Sequence, residues 1–256
     1  MQSTLEEFRS RFIFRQEFAG HLGVECEGFI TDLQTGRIVP KIVDVLKTLG
    51  TSAGEYSSEF SACQVESRHG PCLLANLSSE LDARNAYLQE KLAGMGLRVA
   101  YIPVAPDDMP LDVFPNPLFP IVDLSQDRLL ATCRIAATHV HVGVSDHETA
   151  LRAYNAACDQ HDELTRLGDR SNGQHLELYK FLEKRKGWKP RKYASWGEFH
   201  AHAVRKKFDT KPRNNIQLIR ISAHGTIEFR TFDTTEDIAE IESWACVCAR
   251  ICREAL

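Results

Sequence analysis

The segment Leu22–Asp32, LGVECEGFITD, most constrains what this chain can fold into. It alternates apolar and polar residues with the period of two that marks a β-strand. Positions i and i+2 of a strand share a face, so Glu25 and Glu27 point the same way, only about 7 Å apart. Leu22, Val24, Phe29 and Ile30 bracket them, which predicts a central strand. Two ionised carboxylates so placed repel each other unless a cation, a proton or solvent separates them. The pair reads either as half of a metal-holding face or as plain exposed alternation.

Three further segments carry polar groups where a half-buried strand should be bland. A strand is expected over roughly 56–66, where Gln64 and Glu66 share a face and Glu59 falls on the opposite parity. Glu59 can join them only across a bulge or bend. In Thr138-His139-Val140-His141-Val142-Gly143 both imidazoles project from one face of a β-branched strand, suited to a metal, phosphate or substrate contact. In Gly225-Thr226-Ile227-Glu228-Phe229-Arg230-Thr231-Phe232-Asp233, Glu228 and Arg230 share a face, whereas Asp233 points the other way and reads as a turn or cap residue. Glu228 with Arg230 is either a structural ion pair or a metal ligand beside a phosphate-holding guanidinium.

The remaining pattern alternates strands and helices without repeats. Helices are expected over 40–49, with Gly50 as the stop, and from Ser78 or Ser79 through Leu92. Leu97–Val104 is strand-like, 105–120 carries five of the ten prolines and reads as an irregular loop, and strand returns over 132–144. Asp146 caps a helix reaching about 167, a hairpin occupies 215–232, and Thr235 or Asp237 starts the closing helix. With no linker-like stretch, residues 1–256 are expected to form one α+β domain.

Composition narrows the class. The 256 residues are 43% hydrophobic and 26% charged, as in a globular protein. No apolar run approaches the roughly 20 residues of a membrane helix, and the first residues lack the pattern of a secretory signal, so a cytoplasmic protein without a membrane partner is expected. The eight cysteines form no CxxC; Cys248 and Cys252, four apart on a helix, read as core residues rather than metal ligands. The net charge of −4 excludes a general nucleic-acid binder. That charge is uneven: residues 184–213 hold eleven basic residues, including Lys184, Arg185, Lys186, Lys189, Arg191 and Lys192, against Glu198 and Asp209. The segment is either a solvated basic surface or a phosphate-facing flap.

Together the four segments outline a sheet face bearing Glu25, Glu27, Glu66, His139 and Glu228. Carboxylate-dominated clusters suit Mg²⁺ or Mn²⁺ better than zinc. GxxxxGK[ST] and GxGxxG are both absent. A metal-rich site with an arginine suits phosphoryl transfer, in which positioning and charge neutralisation do most of the catalysis.

In order along the chain, GVECEGFITDLQTGRIVP, EFSACQVESRHGP, HVHVG and HGTIEFRTFDT resemble the carboxylate-amine ligase branch of the glutamate–cysteine ligases. The resemblance spans about residues 20–145 and 214–250. It implies a glutamine synthetase-like fold, a mostly antiparallel curved sheet forming a funnel-shaped site flanked by helices. It also implies ATP-dependent amide-bond formation with Mg²⁺ or Mn²⁺, in which a small-molecule carboxylate is phosphorylated by ATP and a small-molecule amine displaces the phosphate. Carried over by position, Glu25, Glu27, Glu66, His139 and Glu228 would be metal ligands. Arg230 would stabilise the transferring phosphoryl group with Glu66 and His139, and Gln64, His141 and Arg230 would face the nucleotide. Where relatives carry a serine-, glycine- and arginine-rich segment, this chain has RLGDRSNGQHLELYKF, so amine and carboxylate recognition is expected to be rebuilt. The alternatives are a non-catalytic nucleotide- or partner-binding relative and a metal-dependent small-molecule kinase, with self-association left open.

Overall fold

The strand expected at 22–32 is present as β1 (Leu22–Asp32), and the sheet is assembled around it. In the computed structural model, which describes residues 2–50, 55–114, 125–183 and 187–255, β3 (Gln64–Cys72) pairs along one edge of β1. The other edge is divided. β5 (Ala137–Gly143) takes Leu22–Cys26 and β4 (Leu97–Ala100) takes Phe29–Asp32. Outside these lie β2 (Tyr56–Ser58) on β3, and β7 (Thr226–Asp233) followed by β6 (Ile219–Ile221) on β5. The result is a seven-stranded sheet in the order β2-β3-β1-β5-β7-β6, with β4 branching from β1 and every pairing antiparallel.

The sheet's two faces differ because of strand parity. Leu22, Val24 and Cys26 of β1, Val140 and Val142 of β5, and Ile227 and Phe229 of β7 all enter one core. Over that face lie α3 (Leu74–Ala93), α5 (His147–Asp159), α8 (Trp196–Lys206) and α9 (Ile238–Glu254), with Leu77, Tyr154, Phe199 and Trp244 filling the space. α1 (Leu5–Arg9) adds Phe8 against Phe199, and α2 (Ile42–Leu49) builds a smaller cluster with Ile30 and Val99. α4 (Gln126–Arg134), α6 (His161–Leu167) and α7 (Gln174–Glu183) complete the helices among the described residues. None of the helices is long and apolar enough to cross a membrane.

The expected caps form. Asp146 accepts the backbone N–H of Thr149 at 2.9 Å, and Asp237 accepts those of Ala239 and Glu240, each satisfying orphan donors of a first helical turn. Other expectations need correction. The strand at 56–66 is a hairpin, β2 turning through residues 59–63 into β3, with Ser61 Oγ receiving the Cys63 N–H. Residues 126–134, rich in the helix formers Gln, Leu, Ala and Arg, are helical, so the strand expected from 132 starts at Ala137. α3 begins four residues earlier than expected, at Leu74, β4 stops at Ala100, and the helix from Asp146 breaks at Gln160 into α5 and α6.

The described part of the basic segment is anchored by local charge pairing. Lys189 meets Asp162, Arg191 meets Glu198 and Lys192 meets Asp159, while Tyr193, Trp196 and Phe199 sit in the helix-side core. These residues therefore form no flap over the polar sheet face; Lys184, Arg185 and Lys186, like Pro115, Pro117 and Pro120 of the proline-rich stretch, lie outside the described residues. Cys248 and Cys252 are buried in the same core, where burial pushes the Cys252 thiol up to about 12.

Two outcomes follow from this packing. A Cβ at Gly28 would come within 2.3 Å of Val99 Cγ1, where β4 branches from β1. Gly28→Ala should therefore destabilise by roughly 1–3 kcal/mol, read as a lower urea midpoint. Burial, with Arg84 near His69 and Arg191 near His202, lowers both imidazoles from the ordinary 6.5 to about 4. Between those values the unfolded chain binds more protons than the folded one, so stability declines as pH falls through that window. Thermal melts should show that decline, and the His69→Gln/His202→Gln variant should lose that part of it.

Candidate active site

The face opposite α3, α5, α8 and α9 collects the polar and charged positions of five strands. Odd positions of β1 bring Glu25 and Glu27, even positions of β3 bring Gln64, Glu66 and Arg68, and β5 brings His139 and His141. β7 adds Glu228 and Arg230, and Arg220 follows from β6, directly opposite Glu228. Cross-strand register places Glu27 beside Glu66 and Glu25 beside His139. The β2–β3 hairpin returns Glu59 to the same face: Ser57 pairs with Glu66, and Glu59 shares the parity of Ser57. The bend that Glu59 required is present.

The carboxylates form two groups. Glu27, Glu59 and Glu66 offer oxygens within 4.8 Å of one another, and so do Glu25 and Glu228 with a nitrogen of His141. His139 lies between the groups. Its Nδ1 donates to Glu25 Oε2 at 3.1 Å, and its Nε2 lies 3.6 Å from Glu27 Oε1. Glu27 sits at the fork between β4 and β5, where its Oε2 accepts the Ala137 N–H at 2.8 Å. Gln64, 2% exposed, donates to the Ile135 carbonyl at 2.7 Å and tethers the approach to β5.

The electrostatics divide the groups. At an effective dielectric of about 20, two carboxylates about 5 Å apart repel by about 3 kcal/mol. Burial and the charges of Glu66 and Glu27 push Glu59 well above the usual carboxylate range, and burial with Glu66 also raises Glu27. In the other group burial opposes ionisation, but His141 and His139 hold Glu25 well below that range. Likewise burial is outweighed at Glu228 by Arg220, His141 and Arg230, which hold it low. Arg220 Nε donates to Glu228 Oε2 at 2.6 Å, and Arg230 donates to Oε1 at 2.9 Å. Burial disfavours the His141 cation, but Glu25 and Glu228 raise its affinity for a proton.

The donor set fits divalent cations. One group is all carboxylate, the chemistry of Mg²⁺ and Mn²⁺ sites. In the other, His141 Nδ1 is engaged with Thr226 Oγ1 at 2.9 Å, while the buried Nε2 has no hydrogen-bond partner and stands among the oxygens of Glu25 and Glu228. The structure thus brings together every predicted ligand, but places His139 between the groups and His141, expected to face nucleotide, inside one. Arg68 and Arg220 were missed. Arg68 donates to Glu66 at 2.7 Å, and its parity with Glu66 was the available signal; for Arg220 it was the hairpin register with Glu228.

No protein-family pattern and no curated relative matches this chain. Among solved structures it is similar to a bifunctional glutathione synthetase from Pasteurella multocida, with a TM-score of 0.54 at 10% identity. The match covers 100% of this chain and 42% of that one, so this chain spans less than half of that protein's length. At this identity the likeness establishes a shared fold.

Manganese titration followed by electron paramagnetic resonance checks the division. The intact chain should bind more than one Mn²⁺, and Glu66→Gln and Glu25→Gln should each weaken a different one. Loss of all binding in both variants would contradict two separable groups.

Proposed function

We propose that this chain is an ATP- and Mg²⁺-dependent carboxylate–amine ligase of glutamine synthetase-like fold, with 1–256 as one catalytic domain. Its carboxylate substrate is amino-acid-like, and glutamate is the first to test. The observation that carries this reading is the single sheet face on which five glutamates, two histidines and three arginines converge. The ordered resemblance of GVECEGFITD, QVE, HVHVG and GTIEFR to glutamate–cysteine ligases supports it. The fold likeness to a bifunctional glutathione synthetase points the same way.

In this reading Glu27, Glu59 and Glu66 would hold one cation, and Glu25, His141 and Glu228 another. When bound, the cations neutralise phosphate charge and polarise the phosphoryl group. His139 keeps Glu25 and Glu27 oriented through its two ring nitrogens. Arg230, fully charged and tied to Glu228, presents its remaining guanidinium donors to phosphate oxygens. Arg220 and Arg68 hold Glu228 and Glu66 in place, so that less rearrangement is needed as charge develops. The reaction forms an acyl phosphate and ADP, and an amine then displaces phosphate to give the amide.

Incubation with Mg²⁺-ATP, L-glutamate and other amino acids, and a panel of amines should release ADP and yield an amide by mass spectrometry. Arg230→Ala should lower ADP release by about 100-fold or more while Mn²⁺ binding persists. A stable phosphorylated product without amide would identify a kinase instead. A folded chain that releases no ADP across the panel would overturn the proposal.

A further inference from the structure

β7 is not regular. Thr138 pairs with Phe232 but Val140 pairs with Phe229, so His139 faces two residues, Arg230 and Thr231. This bulge reverses the strand's parity. Phe229 and Phe232 both enter the helix-side core, and Asp233 therefore lands on the face of Glu228 and Arg230, not on the opposite face as simple alternation predicts. There it accepts the backbone N–H groups of Arg170 and Ser171 through Oδ2, each at 2.8 Å, and approaches His175 Nδ1 through Oδ1 at 2.6 Å.

His175, Asp233 and Arg230 line one cavity of about 40 Å³, together with Asp169, Tyr179 and Thr231. Burial opposes the Asp233 charge, but the bonds from His175, Arg170 and Ser171 hold its carboxyl below the ordinary range. An ionised carboxylate only accepts, so a hydrogen is on His175 Nδ1, and in the neutral ring this tautomer leaves the lone pair on Nε2. His175 is only 8% exposed, and its ring makes its one hydrogen bond among the described residues through Nδ1. Tyr179 is no rival base: burial raises its phenol, which donates to the Ile216 carbonyl at 2.5 Å. Arg230 Nε is buried without a hydrogen-bond partner, leaving a donor free at this wall. A space this size holds one or two water-sized groups, and the two carboxylates of Asp169 and Asp233, set against the single Arg230 cation, leave the lining net negative and suited to a cationic one.

We infer that His175, oriented by Asp233, is the general base for the acceptor amine, which enters this cavity as an ammonium ion or a slender primary ammonium group. The assignment rests on the ligase reading above and specifies its amine half. His175 Nε2 takes one proton from the ammonium nitrogen. The freed lone pair forms the C–N bond at the acyl carbon, and the bond from that carbon to the phosphate oxygen breaks with its electron pair on phosphate. The second surplus proton on nitrogen leaves with the phosphate, which gives the neutral amide.

Hydroxylamine separates the two halves of the reaction, because it is nucleophilic and unprotonated at neutral pH and traps an acyl phosphate without a base. The full-length chain is assayed with Mg²⁺-ATP and L-glutamate, or the amino acid selected by ADP release, with either hydroxylamine or ammonium chloride. His175→Asn should keep hydroxamate formation within about twofold and lose about 100-fold in amide formation from ammonium. Asp233→Asn keeps an oxygen for the Arg170 and Ser171 amides but reverses the histidine tautomer, and should show the same split. Equal loss of both products in both variants, or retention of both, overturns the base assignment. A wild-type chain that forms no hydroxamate overturns the ligase reading and this assignment with it. Wild-type hydroxamate with undiminished ammonium transfer in His175→Asn overturns the base assignment alone.

Discussion

Five glutamates converge on one face of a seven-stranded sheet, and the rest of the structure is arranged around their mutual repulsion. Glu228 is 1% exposed and Glu66 5%, and polar groups so buried need partners. The fold answers in two ways. Around Glu228 and Glu25 it supplies fixed cations and imidazoles, which keep the carboxyl groups ionised. Around Glu27, Glu59 and Glu66 the compensation is thinner, with Arg68 reaching Glu66 alone, and burial with the charges of Glu66 and Glu27 pushes Glu59 well above the usual carboxylate range. A carboxyl that burial and like charges push upward is also one whose ionised form a divalent cation would stabilise.

That arrangement depends on a division of labour between the sheet's faces. Apolar residues on the alternate positions of β1, β5 and β7 bury against α3, α5, α8 and α9, and this burial holds the strands in register. A one-residue slip would send Glu25 and Glu27 into that core, so the same packing that stabilises the fold also fixes where the charges point. The basic segment contributes to the helix side: its Lys189, Arg191 and Lys192 pair with Asp162, Glu198 and Asp159, and Tyr193, Trp196 and Phe199 fill the core beside Tyr154. The acidic face is thus balanced by Arg68, Arg220 and Arg230 from within the sheet.

Irregularities in the strands determine how the site is extended. The turn at 59–63 folds Glu59 back beside Glu66, and the bulge at Arg230 and Thr231 swings Asp233 toward His175. Each adds a side chain that uninterrupted alternation would exclude from the polar face. Local departures from regular pairing commonly re-aim side chains at functional sites.

Alternation in LGVECEGFITD, HVHVG and GTIEFR was enough to assign the strands and to put Glu25, Glu27, His139, His141, Glu228 and Arg230 on a common face. The reason is that strand parity is local geometry, set by the backbone and readable from neighbouring residues. Helix caps at Asp146 and Asp237 were legible on the same ground. Tertiary structure alone decided which strands became neighbours, that Glu59 and Asp233 join the polar face, and that His139 stands between two carboxylate groups. It also made residues 132–134, expected as strand, the last turn of a helix. These outcomes depend on pairing between segments more than a hundred residues apart, on a turn without glycine, proline or asparagine, and on a one-residue bulge. No periodicity within a single segment encodes them.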